Sequence, residues 1–181
     1  MLNALIFTWA FAEATIWPLM PESLLVPLVA LRPLSALSHL PCAIAGSACG
    51  GLVNYTVTRT LKSSSFLSHV PLVRPAMIGQ CKHWLSIEGT SGVRHQPTSM
   101  LPFKVFAAIA GEMKLPVLPF ILKATLVRSL RFAVVTAIAA ALGLSFANMI
   151  SGNAGAFICL WSCAFAASLF AMDRRWRTQE T

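Results

Sequence analysis

Charged residues are scarce in this sequence. Among 181 residues there are 6 Asp and Glu and 14 Lys and Arg, so 11% of the chain is charged, whereas a soluble domain carries about 25%. So few charges do not cover the surface of a water-soluble protein of this size. Since 56% of the residues are hydrophobic and the mean hydropathy is +0.70, we predict an integral membrane protein. The alternative is a soluble helical domain with a very apolar core.

Motifs of catalytic and metal sites are also missing. The five cysteines form no CxxC pair, and Cys159 and Cys163 share a helix face without partner ligands, so we interpret the cysteines as small packing residues. There is no GxSxG motif, and no histidine lies on a later apolar segment to activate Ser47 as a nucleophile. We expect no enzymatic activity, no metal and no cofactor.

The net charge of +8 indicates where the chain meets its surroundings. The basic residues are scattered or lie beside hydrophobic runs, without the basic stripe and interleaved aromatics of a nucleic-acid surface. We therefore expect contacts with anionic lipid headgroups and a role in setting topology, and no binding of nucleic acid.

Three apolar segments are long enough to cross a bilayer, which takes about 20 residues. They are 154–172, roughly 128–148, and the more polar 41–62. In the last of these, Gly46 and Gly50 form a GxxxG pair, which allows another helix to approach closely. We predict a packing face there; the alternative is a loosely packed helix.

Two further apolar regions, 2–31 and 99–127, are each interrupted by charge and by two prolines. Each half is too short to span a membrane, and interrupted backbone at membrane depth must be buried in protein or line a wet cavity. The prolines are Pro18 and Pro21 in the first region and Pro116 and Pro119 in the second. We predict two re-entrant hairpins, each entering and leaving on one side.

The basic residues orient these segments. The arginines of 174–177 follow the last span and are expected in the cytoplasm. Counting back, the second hairpin enters from the cytoplasm and the first from outside, so the two point at each other as in inverted-repeat transporters. The predicted fold is all-α and polytopic, a single membrane domain over 1–181 with two inverted hairpins and about three transmembrane helices.

The polar connection 63–97 is expected on the cytoplasmic side. From Pro75 its apolar residues follow a helical stripe, made of Met77, Ile78, Cys81, Trp84 and Leu85. We predict a short amphipathic helix that lies either in the membrane interface or against the protein's own hairpins.

Charges inside apolar segments are costly and indicate function. The candidates are Glu13, Glu22, Lys104, Glu112, Lys114, Arg128 and Arg131. Simpler interpretations exist for several. Glu22 is placed to complement a helix dipole, Glu112 and Lys114 to lie in a surface turn, and Arg131 to extend to headgroups. Glu13 and Lys104 have apolar neighbours on both sides and are the strongest candidates.

Three stretches of the sequence resemble one family. "EATIWPLMPESLL" resembles the E-x(4)-P-x-x-P-E opening of the DedA family, also called the VTT or SNARE-associated family, and "GSACGGLVNYTVTR" is similar to its glycine-rich helix. The stretch from Gly92 to Phe132, with Pro102-Phe103-Lys104, then Ala110-Gly111 and a later arginine pair, resembles it most. The resemblance covers about residues 9–148.

This resemblance implies a multi-pass inner-membrane protein that moves phospholipids or polyprenyl phosphates across the bilayer, with coupling to protons. It implies that Glu13 and Glu22 are the acidic site residues and that Lys104 stands where many members carry arginine. An earlier arginine of the family is Thr98 here, so we expect either that Arg94 replaces it or that the site lacks this arginine. The chain is also expected to begin at the first hairpin, without the preceding span of longer members.

The sequence therefore predicts a lipid transporter in which Lys104 and Arg128 neutralise a phosphate headgroup while Glu13 or Glu22 exchanges a proton. A proton-coupled transporter of small solutes and a membrane scaffold whose charges only fix hairpin packing are the alternatives. Neither the lipid nor the oligomeric state follows from the sequence.

Overall fold

The structure is a computed structural model that describes residues 1–99 and 101–178. Within these residues the chain is helical and contains no strand. The helices are α1 Leu2–Thr15, α2 Glu22–Leu31, α3 Ala36–Leu61, α4 Pro75–Glu88, α5 Gln96–Ser99, α6 Phe103–Glu112, α7 Val117–Ser145, α8 Ala147–Gly152 and α9 Ala154–Arg177. Short 3-10 helices cover Pro33–Ser35, Ser65–His69 and Gly89–His95.

Three helical segments are long and apolar enough to cross a membrane: Pro33–Leu61, Val117–Ser145 and Ala154–Arg177. At 1.5 Å per residue even the shortest of them extends about 36 Å, which exceeds the roughly 30 Å hydrocarbon core of a bilayer. The prediction of an all-α fold with three helices long and apolar enough to cross a membrane is confirmed.

Proline-containing breaks interrupt the helices, but the second break differs from its expected form. The first separates α1 from α2 between Thr15 and Glu22. Pro116 precedes α7 and Pro119 lies in its first turn, where the missing N–H has no intrahelical partner in any case. From there to Ser145 nothing in the sequence interrupts the helix, so the expected boundary between a hairpin limb and a span near Arg128 is wrong.

The turn between α6 and α7 lies at the Leu61 end of α3 and not halfway along it. The Tyr55 hydroxyl, in the last third of α3, donates a hydrogen bond to the Leu115 carbonyl at 2.5 Å. Tyr55 also stacks on Phe120, with ring centroids 6.0 Å apart. Helix α7 therefore begins at the Leu61 end of α3 and runs antiparallel to α3 over its whole length.

Helix α1 packs along α3, and glycines make the contact possible. A Cβ atom built on Gly46 would lie 2.2 Å from the Phe7 carbonyl oxygen, and one on Gly50 would lie 2.5 Å from that of Phe11. The two backbones therefore approach as closely as in GxxxG pairs, and the helices run in the same direction. The predicted packing face is confirmed.

Helix α6 continues along α3 where α1 ends. The Phe103 ring lies over Gly51, and Gly111 contacts the Tyr55 carbonyl oxygen so closely that a Cβ atom would lie 2.2 Å from it. Helix α6 thus also runs parallel to α3. The two short helices, about 21 Å and 15 Å long at 1.5 Å per residue, follow one another along the same long helix.

The amphipathic helix expected from Pro75 is α4, and it packs against the protein. Met77, Cys81 and Leu85 are buried in the same hydrophobic core as Phe106 of α6. The Trp84 ring stacks on Phe106 with centroids 6.2 Å apart. Of the two alternatives for this helix, packing against the protein's own helices is the one observed.

Candidate functional site

The end of α1 meets the beginning of α6, and a lysine joins them. Lys104, in the first turn of α6, donates a hydrogen bond from Nζ to the Trp17 carbonyl oxygen at 2.8 Å. Its side chain is 2% exposed. The carbonyl belongs to the broken segment just beyond α1, so the ammonium group contacts backbone that has lost its helical partners.

A buried asparagine completes the end of α1. The Asn54 amide nitrogen donates to the carbonyl oxygens of Ala14 at 2.9 Å and Thr15 at 3.0 Å. These carbonyls have no intrahelical donor because the helix ends there. Asn54 was not among the predicted site residues; the signal for it was an amide side chain within the apolar segment 41–62.

Glu13 and Arg128 form a buried ion pair beside this junction. Arg128 Nη2 and Glu13 Oε2 are 2.6 Å apart, and the two side chains are 6% and 4% exposed. The guanidinium carbon lies 4.6 Å from the centre of the Phe103 ring and 5.0 Å from that of Phe132. Glu13 is also close enough to Lys104 to attract it directly. Three of the predicted site residues are thus brought together.

Glu22 lies at the start of α2 and faces Arg131. Arg131 Nε is 2.8 Å from Glu22 Oε1, yet the N–H is not directed at that oxygen, and both buried Glu22 oxygens lack a hydrogen-bond donor in the described part of the chain. We therefore treat the contact as an ion pair without a well-formed hydrogen bond. Arg131 Nη2 lies 3.1 Å from Met20 Sδ, a weak acceptor.

These five side chains, Glu13, Glu22, Lys104, Arg128 and Arg131, are called the central charged cluster. It holds three cations and two carboxylates. Glu13 pairs with Arg128 and Glu22 with Arg131, whereas Lys104 has only the Trp17 carbonyl as its hydrogen-bond partner among the described residues. The cluster therefore carries one positive charge more than its carboxylates balance. Four of its five residues are buried, whereas the Arg131 side chain is 28% exposed.

Arg94 is not part of this cluster. Its side chain is 67% exposed and its Nη2 lies 3.0 Å from Glu88 Oε1. His95 contacts the same carboxylate at 2.9 Å, and the hydrogen bond from His95, with help from Arg94, holds the pKa of Glu88 below its ordinary value. Arg94 therefore lies apart from the buried charges, in an exposed ion pair.

Glu112 also lies outside the cluster, in a contact that matches the surface alternative. Lys82 Nζ is 2.9 Å from Glu112 Oε1, and the Ser64 hydroxyl donates to Oε2. Burial raises the pKa of this carboxyl, but the hydrogen bonds from Ser64 and Lys82 outweigh it and hold the pKa below its ordinary value. The residue ties the end of α6 to α4 and to the chain after α3.

The chain is similar in sequence to a bacterial protein of unknown role. An uncharacterized protein of Haemophilus influenzae is 27% identical over 144 residues, which cover 76% of this chain and 72% of the relative. No protein-family model matches the chain. No solved structure matches it. The class that the fold defines is an all-α protein with three helices long and apolar enough to cross a membrane and a largely buried charged cluster.

Proposed function

We propose that this chain is a DedA-type membrane transporter that moves phosphate-headed lipids, phospholipids or polyprenyl phosphates, across the bilayer. The observation that carries the proposal is the unbalanced positive charge at Lys104. A buried ammonium held by a single carbonyl is costly in an apolar surrounding. An anionic headgroup arriving at this point would supply the missing charge.

The proposed path passes between two opposed hairpins. The first consists of α1, the break and α2, and enters from the Ser35 end of α3. The second enters from the Leu61 end and consists of the chain from α4 to α5 followed by α6, so that its inner turn lies near Pro102. Lys104 and the Trp17 carbonyl, the contact between the two inner ends, would then be the point that opens and closes.

Broken helix ends suit this role. The N-terminus of α6 presents free N–H groups and a positive dipole end to the junction, as discontinuous helices do in secondary transporters. Arg128 is the second proposed phosphate ligand, and Glu13 is its resting partner. Protonation of Glu13 would release Arg128 to the headgroup, which is how proton coupling would enter.

The proposed topology places the protein in the inner membrane with its C-terminus in the cytoplasm. The supporting feature is the group of arginines at the end of α9, Arg174, Arg175 and Arg177, which favours the cytoplasmic side. Residues 65–99 carry further basic residues, and one of them, Arg74, pairs with Asp173 at the same end of α9.

The test is lipid flux in proteoliposomes with a fluorescent phospholipid or a labelled polyprenyl phosphate, with and without a pH gradient. We expect Lys104→Gln to slow flux at least about tenfold, the loss of one charge-assisted contact, and Lys104→Arg to keep it. Lys123→Gln is the matched control, since among the described residues Lys123 Nζ donates to the Thr90 and Ser91 hydroxyls on the exposed side of α7.

The alternatives predict other results. Flux of neither lipid from a folded protein would favour a small-solute transporter or a scaffold. Flux that Lys104→Gln leaves unchanged would remove Lys104 from the path. Flux that ignores the pH gradient would leave lipid movement standing and remove the coupling.

A further inference from the structure

Helix α9 is attached to the rest of the protein at two places and leaves a groove between them. At its C-terminal end Met172, Asp173 and Trp176 are buried, and Arg74 donates twice to Asp173 Oδ1, at 3.0 and 2.7 Å. Near its middle the Trp161 indole N–H donates to the Ser23 carbonyl oxygen at 3.2 Å. Only 6% of its most apolar 18-residue window is buried inside the protein.

The groove contains two cavities that adjoin at Leu169. One, of about 360 Å³, is lined mainly by aromatic and aliphatic side chains, including Trp9, Trp161 and Phe165. The next, of about 350 Å³, is lined by Leu169 as well and extends to Met20 and Arg131. An apolar channel along α9 therefore ends at a guanidinium group.

A third cavity begins at the same arginine on the outer side of α7. It has a volume of about 360 Å³, shares Arg131 with the second cavity, and is otherwise lined by Arg94 and by apolar residues such as Leu130 and Val134. The ionisable residues lining the second and third cavities are arginines. Two apolar channels thus leave one cationic point in two directions.

We infer that a two-chain phospholipid with an anionic headgroup binds here, with its phosphate between Arg131 and Arg94 and one acyl chain in each channel. Arginine binds phosphate through several N–H donors in a fixed plane. Arg131 Nη2 now faces the Met20 thioether, and a phosphate oxygen is a far stronger acceptor. A single-chain lipid would fill only one of the two channels.

This inference deepens the proposed function, because it places the lipid at the side of the protein before it reaches the central charged cluster. The groove lies between α9 and the helices α1 and α2. Met20, in the break between α1 and α2, contacts Arg131, and Arg131 pairs with Glu22. Binding is nevertheless measured separately from flux.

Binding is tested by native mass spectrometry of the purified protein in detergent with dioleoylphosphatidylglycerol, dioleoylphosphatidylcholine and undecaprenyl phosphate. Leu169→Trp fills the channel along α9 and Val134→Trp fills the one beside α7. We expect each to weaken phosphatidylglycerol binding about tenfold, and Arg94→Gln to weaken it about threefold, as a partly exposed phosphate contact should. Undecaprenyl phosphate has a single chain, so its binding should be weakened by one of the two tryptophan variants and not by the other.

Two variants serve as controls. Leu160→Trp adds the same side chain to an exposed position of α9 that lines none of these cavities, and Arg32→Gln removes an exposed arginine elsewhere. Both should bind phosphatidylglycerol as the wild type does. Three results would overturn the inference. They are equal binding of phosphatidylglycerol and phosphatidylcholine, equal binding of phosphatidylglycerol by all variants, and phosphatidylglycerol binding that is weakened by only one of the two tryptophan substitutions.

The flux assay separates the two proposals. If lipid binding changes in these variants as expected but no lipid flux is measured, the groove is supported and the transport function is rejected. If flux depends on Lys104 but is unchanged by Leu169→Trp and Val134→Trp, transport is supported and the groove is not part of the transport path.

Discussion

Glu13 on α1 and Arg128 on α7 are 115 positions apart in the chain, and their charged atoms are 2.6 Å apart in the folded protein. Both side chains are almost fully buried. The pair fixes the end of α1 against α7 and also lies next to Lys104, so its substitution bears on both packing and the proposed transport. Stability and transport must therefore be measured on the same variants.

We expect the Glu13–Arg128 pair to be strongly coupled in stability. Glu13→Gln or Arg128→Met alone leaves a buried charge unpaired and should lower the free energy of unfolding by about 3–5 kcal/mol. The double variant should lose about 2 kcal/mol less than the sum of the two. Thermal unfolding in detergent, followed by tryptophan fluorescence, measures both.

The control for this cycle is Arg177→Gln, which removes one partner of an ion pair in which the arginine is 65% exposed and should cost less than about 1 kcal/mol. Additive effects of the Glu13 and Arg128 substitutions would show that the pair does not hold the helices together. A Glu13→Gln protein of unchanged stability and no flux would assign the carboxylate to transport alone.

The contact of α1 with α3 gives a second prediction. Gly46→Ala and Gly50→Ala each force backbone apart, since the added Cβ would lie 2.2 and 2.5 Å from carbonyl oxygens of α1. We expect each to lower stability by about 1–3 kcal/mol. Gly79→Ala, in α4, meets nothing within 4 Å and should instead raise stability by up to about 1 kcal/mol. A destabilising Gly79→Ala would show that the spacing is not the cause.

The sequence predicted individual helices and helix breaks better than it predicted which residues contact one another. The breaks at Pro18 and Pro116 and the stripe of α4 follow from local geometry, and they were found. The continuity of α7 through Arg128 was missed, because charge at that position looked like the end of a span. In the structure the charge is paired, so the helix continues through it.

Partner choice could not be predicted for a physical reason. Which cation reaches Glu13 depends on where α1, α6 and α7 lie along α3, and close approaches at Gly46 and Gly111 set this. Arg94 and Glu112 have the right charges for the site but lie in segments held elsewhere by Glu88 and Lys82. Charge type alone did not distinguish Arg94 from Lys104, or Glu112 from Glu13.

The contact of Glu112 with Ser64 and Lys82 gives a pH-dependent prediction. The pKa of the folded carboxyl lies below the ordinary 4.5, so the charged form stabilises the fold above pH 4.5 and this contribution is lost as the pH falls through the folded pKa. Wild type should be more stable than Glu112→Gln at pH 7, by about 1 kcal/mol for a partly exposed pair. The difference should shrink below pH 4.5.

Thermal unfolding of both proteins between pH 7 and pH 3.5 in a non-ionic detergent measures this difference. Lys82→Gln should show a smaller change of the same sign, because Ser64 still donates to the carboxylate. A difference that stays constant over the whole range would mean that the titration of Glu112 contributes nothing to the fold.

The last prediction concerns the orientation in the membrane. With the arginines at the end of α9 in the cytoplasm, green fluorescent protein fused after residue 181 should be fluorescent, and alkaline phosphatase fused at the same place should be inactive. Replacing the three arginines 174, 175 and 177 by glutamine removes the strongest local bias, at least for the last helix. If the positive residues set the orientation, this variant should show mixed reporter activity.

A single cysteine in an otherwise cysteine-free protein gives an independent check. Leu34 is 83% exposed and lies just before the start of α3, so a cysteine there should react with a membrane-impermeant maleimide in intact cells. A cysteine at Lys62, just after the end of α3, should react only after lysis. The reverse pattern would invert the proposed topology. It would also exchange the sides from which the two proposed hairpins enter, while leaving the contact between Lys104 and Trp17 unchanged.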